Sequence, residues 1–418
     1  MRGLLAYFFG LGLRVLLLLA AAQAALVGIV EAVATIRRKF LLERPQEGFP
    51  WEERPEIELE SGDVRLKLYP QYEMLYEAML EEIERAEERV FVETFIWQDD
   101  GWGNRFVEAL ARKAREGVAV YAVFDELANL GQPKEFKRFP EEINLLRFRR
   151  VSGPLGAINP RSAHRDHRKL LAVDGRVAFV GGFNIGDLYT TWRDTHLRLR
   201  GDVAHEVERA FVDFWNTHRS AAGGLPEIEP LRESSWDPST ALLVNDPYRH
   251  TLPIRDSYLT TINRANEHVY LTTAYFTPGP AYREALLRAA ERGVDVQVLF
   301  PQASNHALVD WLARPYLGEL LRGGVRIFMY KDFMLHAKTA TADGVWATVG
   351  SANVDTLSFF GLHETNLEVY SERFAAQMEE TFELDKTNAE EITLEKWESR
   401  ALPVKLLEWG LAPLRVFG

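Results

Sequence analysis

The pattern H-x-K-x-x-x-x-D-G is written twice in this chain, as HRKLLAVDG from His167 to Gly175 and as HAKTATADG from His336 to Gly344. A pattern repeated with its spacing intact points to an internally duplicated fold. The flanks agree. IERAEERVFVETFIW (Ile83 to Trp97) matches INRANEHVYLTTAYF (Ile262 to Phe276), and GVAVYAVF (Gly117 to Phe124) matches GVDVQVLF (Gly293 to Phe300). Each half reads as helix, strand, helix, strand and motif hairpin, which is an α/β arrangement.

The motif has a local logic. Asp174-Gly175 and Asp343-Gly344 each separate two apolar runs, as in a tight hairpin turn. His167 and Lys169 lie two apart on the entering strand and so share a face, as do His336 and Lys338. A histidine beside a lysine suits an anionic ligand, one group for chemistry and one for charge. The leaving strands end in GGFN (Gly181 to Asn184) and GSAN (Gly350 to Asn353), so each asparagine follows its histidine by 17 residues. Asn184 and Asn353 can donate hydrogen bonds to phosphate oxygens. Asp194 follows His167 by 27 residues and Glu364 follows His336 by 28. A carboxylate on an imidazole fixes its tautomer and stabilises its charged form.

These residues resemble the phospholipase D superfamily, whose signature is HxKxxxxD followed by G-[GS]-x-N, over about residues 60 to 400. HRKLLAVDGRVAFVGGFNIGDLY, WRDTHLRLRG, TAYFTPG and GGVRIFMYKDFMLHAK are most similar to bacterial cardiolipin synthases. The resemblance implies two fused α-β-α domains with pseudo-two-fold symmetry and one site between them, for which a monomer suffices. It implies His167 as the nucleophile that forms a phosphohistidine, and His336 as the acid and then the base. Lys169, Lys338, Asn184 and Asn353 would bind the phosphoryl oxygens, and Asp194 and Glu364 would orient the histidines. Asp174 and Asp343 complete the candidate catalytic set, although their turn position already suggests a structural part. No cofactor or metal is implied: His164 and His167 form an H-x-x-H, but no third ligand is evident. The sequence departs from the subgroup at Leu357, where an arginine is usual, and at Gly279, where an aspartate often closes YFTP. Both leave the acceptor alcohol open.

The ends of the chain bear on where such chemistry occurs. From Val15 to Ile36 the only polar residues are Gln23, Glu31 and Thr35, with Arg14 before the run and Arg37, Arg38 and Lys39 after it. A retained membrane span or anchor is expected. The small-x-small triplet Ala22-Gln23-Ala24 is also compatible with a cleaved signal peptide. Basic residues on both sides leave the orientation open, so the expected location is the cell membrane, side unspecified. The expected organisation is an N-terminal membrane helix with its basic flank (1–40), a first domain (52–222), a second domain (225–397) and an apolar tail (398–418). The Gly-, Pro- and Ser-rich stretch from Arg219 to Ser239 is the linker. Residues 127–159, with the basic run Arg147 to Arg150, have no counterpart of equal length and read as a lip over a site or a plain insertion. The tail could lie on a membrane with Trp409 at the interface, or pack on the domain.

Composition narrows the function classes. Net charge is −12 over 418 residues, and the basic N-terminus makes the remainder more acidic still, so nucleic acid is not an expected partner. With no cysteine, disulfides and thiolate chemistry are excluded. The leading expectation is a membrane-bound phosphatidyltransferase acting on phospholipids such as phosphatidylglycerol. The same residues would serve a phospholipase D hydrolase if water were the acceptor. A nuclease is disfavoured by the acidic soluble part. A non-catalytic lipid-binding scaffold is disfavoured because no motif histidine or lysine is lost.

Overall fold

Each copy of the motif turns a β-hairpin, and each hairpin sits in the middle of its own sheet. The computed structural model describes residues 23–28, 30–33, 54–59, 63–136, 139–149, 164–231 and 237–411. Residues 23–28 and 30–33 are helical (α1). In the first half β1 (Ile57–Glu58), β2 (Arg65–Tyr69), α2 (Tyr72–Glu84), β3 (Arg89–Thr94), α3 (Gly101–Arg115), β4 (Ala119–Asp125) and β5 (Asn144–Phe148) lead to β6 (Arg165–Asp166). The hairpin β7 (Leu170–Val173) and β8 (Val177–Gly181) follows, then β9 (His196–Arg200) and α4 (Val203–His218). The second half has β10 (Thr240–Asn245), α5 (Pro253–Arg264), β11 (His268–Thr272), β12 (Phe276–Thr277), α6 (Pro280–Glu291), β13 (Asp295–Pro301), α7 (Ala307–Arg322) and β14 (Arg326–Tyr330). Its hairpin is β15 (Thr339–Ala342) and β16 (Trp346–Gly350), followed by β17 (Val354–Asp355), α8 (Thr356–Phe360), β18 (Leu362–Tyr370) and α9 (Glu372–Thr387). The chain continues through β19 (Ala389–Ile392), α10 (Leu394–Glu398) and α11 (Leu402–Leu411).

The duplication is visible in the strand orders. One sheet runs β1-β2-β9-β8-β7-β3-β4-β5 and the other β10-β18-β16-β15-β11-β13-β14-β19. Position by position, β2, β9, β8, β7, β3, β4 and β5 correspond to β10, β18, β16, β15, β11, β13 and β14. In both, β-α-β crossovers give parallel neighbours (β3 with β4, β11 with β13), and the motif hairpin adds antiparallel strands beside them. At the hairpin tips Asp174 and Gly175 have φ of 53° and 64°, and Asp343 and Gly344 have 51° and 66°. Two successive left-handed residues are what an Asp-Gly hairpin turn requires.

The halves do not pack as separate spheres. One core cluster joins Phe91, Val180, Leu197 and Leu199 of the first sheet, Phe211 and Trp215 of α4, Val349 and Leu367 of the second sheet, and Phe374 of α9. Burial of each such side chain contributes about 1.5–3 kcal/mol, so separating the halves would expose a shared interior. β6 also crosses over, pairing in parallel with the start of β18. The region between the halves is therefore a fixed place.

Residues 144–148 correct one expectation. They form β5, which pairs with β4 as β14 pairs with β13. Leu146 and Phe148 are buried and Arg147 is exposed, so part of the basic run is a sheet strand. The extra length of the first half lies after β5, mostly outside the described residues. The expected N-terminal membrane helix also falls largely outside them, and no described helix is long and apolar enough to cross a membrane. The described part packs against α7 and α11: Val30 clusters with Ala307, Leu312 and Leu411, and Glu31 accepts the Leu308 amide (3.1 Å).

Candidate active site

The site is assembled by two backbone links between the halves, related by the internal symmetry. Arg165 and Asp166 run alongside Leu362 and His363, so the His167 amide donates to the His363 carbonyl (3.0 Å). Arg193 bridges Leu335 in the same way, and the His336 amide donates to the Arg193 carbonyl (2.6 Å). Each motif histidine is thus laid beside the carboxylate-bearing segment of the opposite half.

The side chains follow. His167 Nδ1 lies 3.0 Å from both carboxylate oxygens of Glu364, and His336 Nδ1 lies 2.6 Å from Asp194 Oδ2. The spacing within each half suggests Asp194 for His167 and Glu364 for His336; the partners are exchanged. An imidazole that gives its Nδ1 proton to a carboxylate presents Nε2 as the reactive nitrogen. Lys169 Nζ donates back to the His167 carbonyl (2.7 Å), and Lys338 does the same to His336. All four side chains are buried, with His167 6% exposed and His336 4%. Asn184 accepts the Ile96 amide through Oδ1 (3.2 Å). Asn353 is buried with Oδ1 lacking a partner among the described residues.

The electrostatics describe a site crowded with cations. Burial pushes the Lys169 ammonium down to about 8 and that of Lys338 down to about 7, against the pull of Glu364 and Asp194. His167 is held well below the ordinary histidine value, first by burial, then by Lys169, Lys338 and His336. Burial and Lys338 bring His336 to about 4, with Asp194 opposing. Such a cavity favours a bound anion, whose charge relieves all four groups at once.

Asp174 and Asp343, expected in the catalytic set, do not reach the cleft. The histidines and lysines, expected on the entering strands, lie just before β7 and β15, and the aspartates just past the far ends, about 16 Å along the chain. Asp174 accepts the backbone amides of Glu87, Glu88 and Arg89 (2.8–2.9 Å), and Asp343 those of Asn266, Glu267 and His268 (2.9–3.1 Å). Each clamps the start of the neighbouring strand to its hairpin.

Several neighbours have roles that the motif does not state. Ser351 donates to Glu364. Phe95 meets His167 edge-on (4.8 Å between centroids), while Trp192 (5.1 Å) and Tyr275 (6.4 Å) flank His336. Arg193, buried, makes a two-pronged pair with Asp385 (2.9 Å each) and also donates to Thr195 Oγ1 (2.9 Å) and the Asp194 carbonyl. A signal for Phe95 and Tyr275 exists in the sequence: both lie in the matched blocks VETFIW and LTTAYF. Arg193 lies in the block WRDTHLRLRG, but its role does not show there, because its partner is on α9. His363, next to the site, packs on Phe214 (5.1 Å), and His268, at the far end with Asp343, pairs with Glu379 (2.7 Å).

Comparison with known proteins agrees with the duplication. The family described as cardiolipin synthase, PLD-like domain, matches residues 79–215 and 258–386, one match per half. A cardiolipin synthase of Listeria welshimeri is 33% identical over 342 residues, covering 80% of this chain and 71% of that protein. One from Clostridium perfringens is 32% identical over 354 residues, covering 81% and 73%. Among solved structures, phosphatidylserine synthase of Haemophilus influenzae superposes with a TM-score of 0.67 at 14% identity, over 87% of this chain and 95% of that one. Polyphosphate kinase of Porphyromonas gingivalis superposes with 0.54 at 15% identity, over 89% and 57%; at these identities both speak for the fold alone. With a match in each half and relatives one-third identical over four-fifths of its length, the chain belongs to the cardiolipin synthase family of phospholipase D-like proteins.

Proposed function

We propose that the protein is a phosphatidyltransferase that joins two phosphatidylglycerols into cardiolipin and releases glycerol, working at a membrane through a phosphohistidine. The observation that carries the reading is the pair of buried histidines, each held through Nδ1 by the other half's carboxylate, in one cleft with two lysines. His167 Nε2 attacks phosphorus; the P–O bond to glycerol breaks as His336 passes a proton to the leaving oxygen. The acceptor's hydroxyl then gives its proton to His336 and its oxygen attacks phosphorus, which frees His167. Lys169 and Lys338 neutralise the phosphoryl oxygens, and Asn184 and Asn353 complete their hydrogen bonding. One chain supplies every group, so a monomer suffices.

The assignment of roles follows the carboxylates. Burial alone would raise Asp194, yet His336, Lys338 and the Thr195 amide bring it below the usual range, so it stands as an anion beside His336. That anion favours the protonated ring an acid needs. The test is purified protein in detergent with phosphatidylglycerol as sole lipid. Cardiolipin plus glycerol is the expected product; phosphatidic acid plus glycerol would make the protein a hydrolase, and neither product would overturn both readings.

A further inference from the structure

Behind the wall that carries Tyr275 lies a cavity of ≈ 260 Å³. Its sides are apolar, with Phe276, Phe300, Trp311, Leu317, Met329 and Phe333 among them, and Val30 and Val33 of α1 and Leu407 of α11 also line it. Two charged residues on the wall are already engaged: Arg314 donates to Glu408 (2.7 Å), and Asp310 accepts the Ser304 amide (2.8 Å). The cavity asks for a hydrocarbon occupant. It is smaller than the ~300–1,000 Å³ of sites that enclose a whole small ligand, so it fits part of a larger amphiphile.

Its position says which part. Ala274 and Phe276 line the cavity, while Tyr275 between them packs against the His336 ring. Phe333 lines it three residues before His336. Cavity and catalytic cleft therefore share two segments of wall. Outside, Leu402, Leu406 and Trp409 fall on one face of α11 and are 67%, 58% and 77% exposed, while Leu411, on the opposite side, is buried; Val33 of α1 is 60% exposed. An outward stripe of two leucines and a tryptophan suits the surface of a bilayer.

We propose that this cavity takes one acyl chain of the phospholipid whose phosphate lies between His167 and His336, and that the outward stripe of α11 sets its mouth against the bilayer. The inference rests on the phosphatidyl-transfer reading and adds how the lipid leaves the membrane: one chain slides between α1, α7 and α11 while the headgroup stays in the polar cleft. The polar rim, Gln302 and Asp332, is exposed and faces water.

Two measurements test it on the full chain in detergent. Ala303→Trp, on the half-buried rim, and Ala313→Trp, on the buried wall of α7, both fill the cavity; the first keeps the test open if the second fails to fold. The ratio of kcat/KM for dioleoyl- over dihexanoyl-phosphatidylglycerol should fall about tenfold in Ala303→Trp, because only the long chain needs the apolar volume. An unchanged ratio overturns the proposal. Second, His167→Ala protein is irradiated with phosphatidylglycerol carrying a mid-chain diazirine. Label within residues 300–317 and 329–333, reduced by Ala303→Trp, is expected; label elsewhere means the cavity is filled by other residues of this chain or lies off the lipid path. Cavity labelling with no cardiolipin from the wild type would sink the transferase reading and leave the chain site standing. Cardiolipin with label elsewhere would sink the chain site alone.

Discussion

The histidine of the first half and the histidine of the second stand at the same place in the same motif, three residues before equivalent strands, yet they sit against different partners. His167 has Glu364, whose carboxylate is also hydrogen-bonded by Ser351. His336 has Asp194, and at the position matching Ser351 the chain has Gly182, where a Cβ would lie 2.1 Å from Asp194 Oδ1. The shorter carboxylate therefore needs glycine next to it, and the longer one takes a serine. Their charges differ as well. Burial pushes Glu364 well above the usual carboxylate range in spite of Lys169 and Ser351, while Asp194 is drawn below it. A duplicated scaffold has thus kept its frame and diverged at the one carboxylate that sets each ring's protonation. Two identical imidazole sites could not divide the work between nucleophile and acid.

The largest effect expected from this asymmetry is on the histidines themselves. His167→Ala and His336→Ala should each lower turnover by about 10⁴-fold or more, since residues acting as one unit fail together. They should differ in what they trap. With an acyl-labelled phosphatidyl donor bearing a leaving group that needs no proton, His336→Ala should accumulate label on the protein and His167→Ala should not. Label on His167→Ala alone would reverse the assignment, and label on both would mean that neither histidine is the sole nucleophile.

The carboxylates come next, each worth about 10²–10⁴-fold. Glu364→Gln should slow formation of the labelled intermediate. Asp194→Asn should slow its transfer to the acceptor and leave formation from the activated donor little changed. If Asp194→Asn slowed formation instead, the exchanged pairing would be wrong. A smaller effect concerns the lysines. Because Lys338 is lowered to about 7 and Lys169 to about 8, their charge is lost as pH rises through that range, and kcat/KM should decline above about pH 7. Lys338→Arg, charged at any such pH, should lose some activity and carry the decline to higher pH. A profile flat to pH 9 would show that neither ammonium is needed.

The smallest effect should be the same in both halves. Asp174→Asn and Asp343→Asn each weaken hydrogen bonds from three backbone amides to a carboxylate, at a cost of about 1–3 kcal/mol in denaturant unfolding. Turnover of folded protein should stay within about threefold. A loss on the scale of the histidine variants would return these aspartates to the chemistry.

Much of this molecule is legible in its amino-acid order, because the signals are local. The Asp-Gly turns, the two-residue spacing of histidine and lysine, and the glycine-terminated helices act over a few residues, where periodicity and backbone preference decide. The repeat adds the rest of the frame: two copies of one block imply two copies of one sheet. Residues 144–148 mislead because the basic run masks the alternation of Leu146 and Phe148 with Arg147. Arg193 and Ser351 lie inside the quoted blocks, but their roles are not legible there, because these depend on packing against Asp385 and Glu364.

Two histidines, two lysines, two asparagines and two carboxylates at equivalent places beside the two hairpins can all be read from the repeated blocks. Which carboxylate serves which histidine cannot, because it is a matter of packing. Linear spacing favours a partner 27 or 28 residues away, but spacing along the chain does not fix which segments run side by side. Packing the sheets about a two-fold axis brings Leu362–Glu364 alongside Arg165–His167, and Arg193–Asp194 alongside Leu335–His336. The bond forms where the chains run side by side, and that proximity is a property of the packed halves.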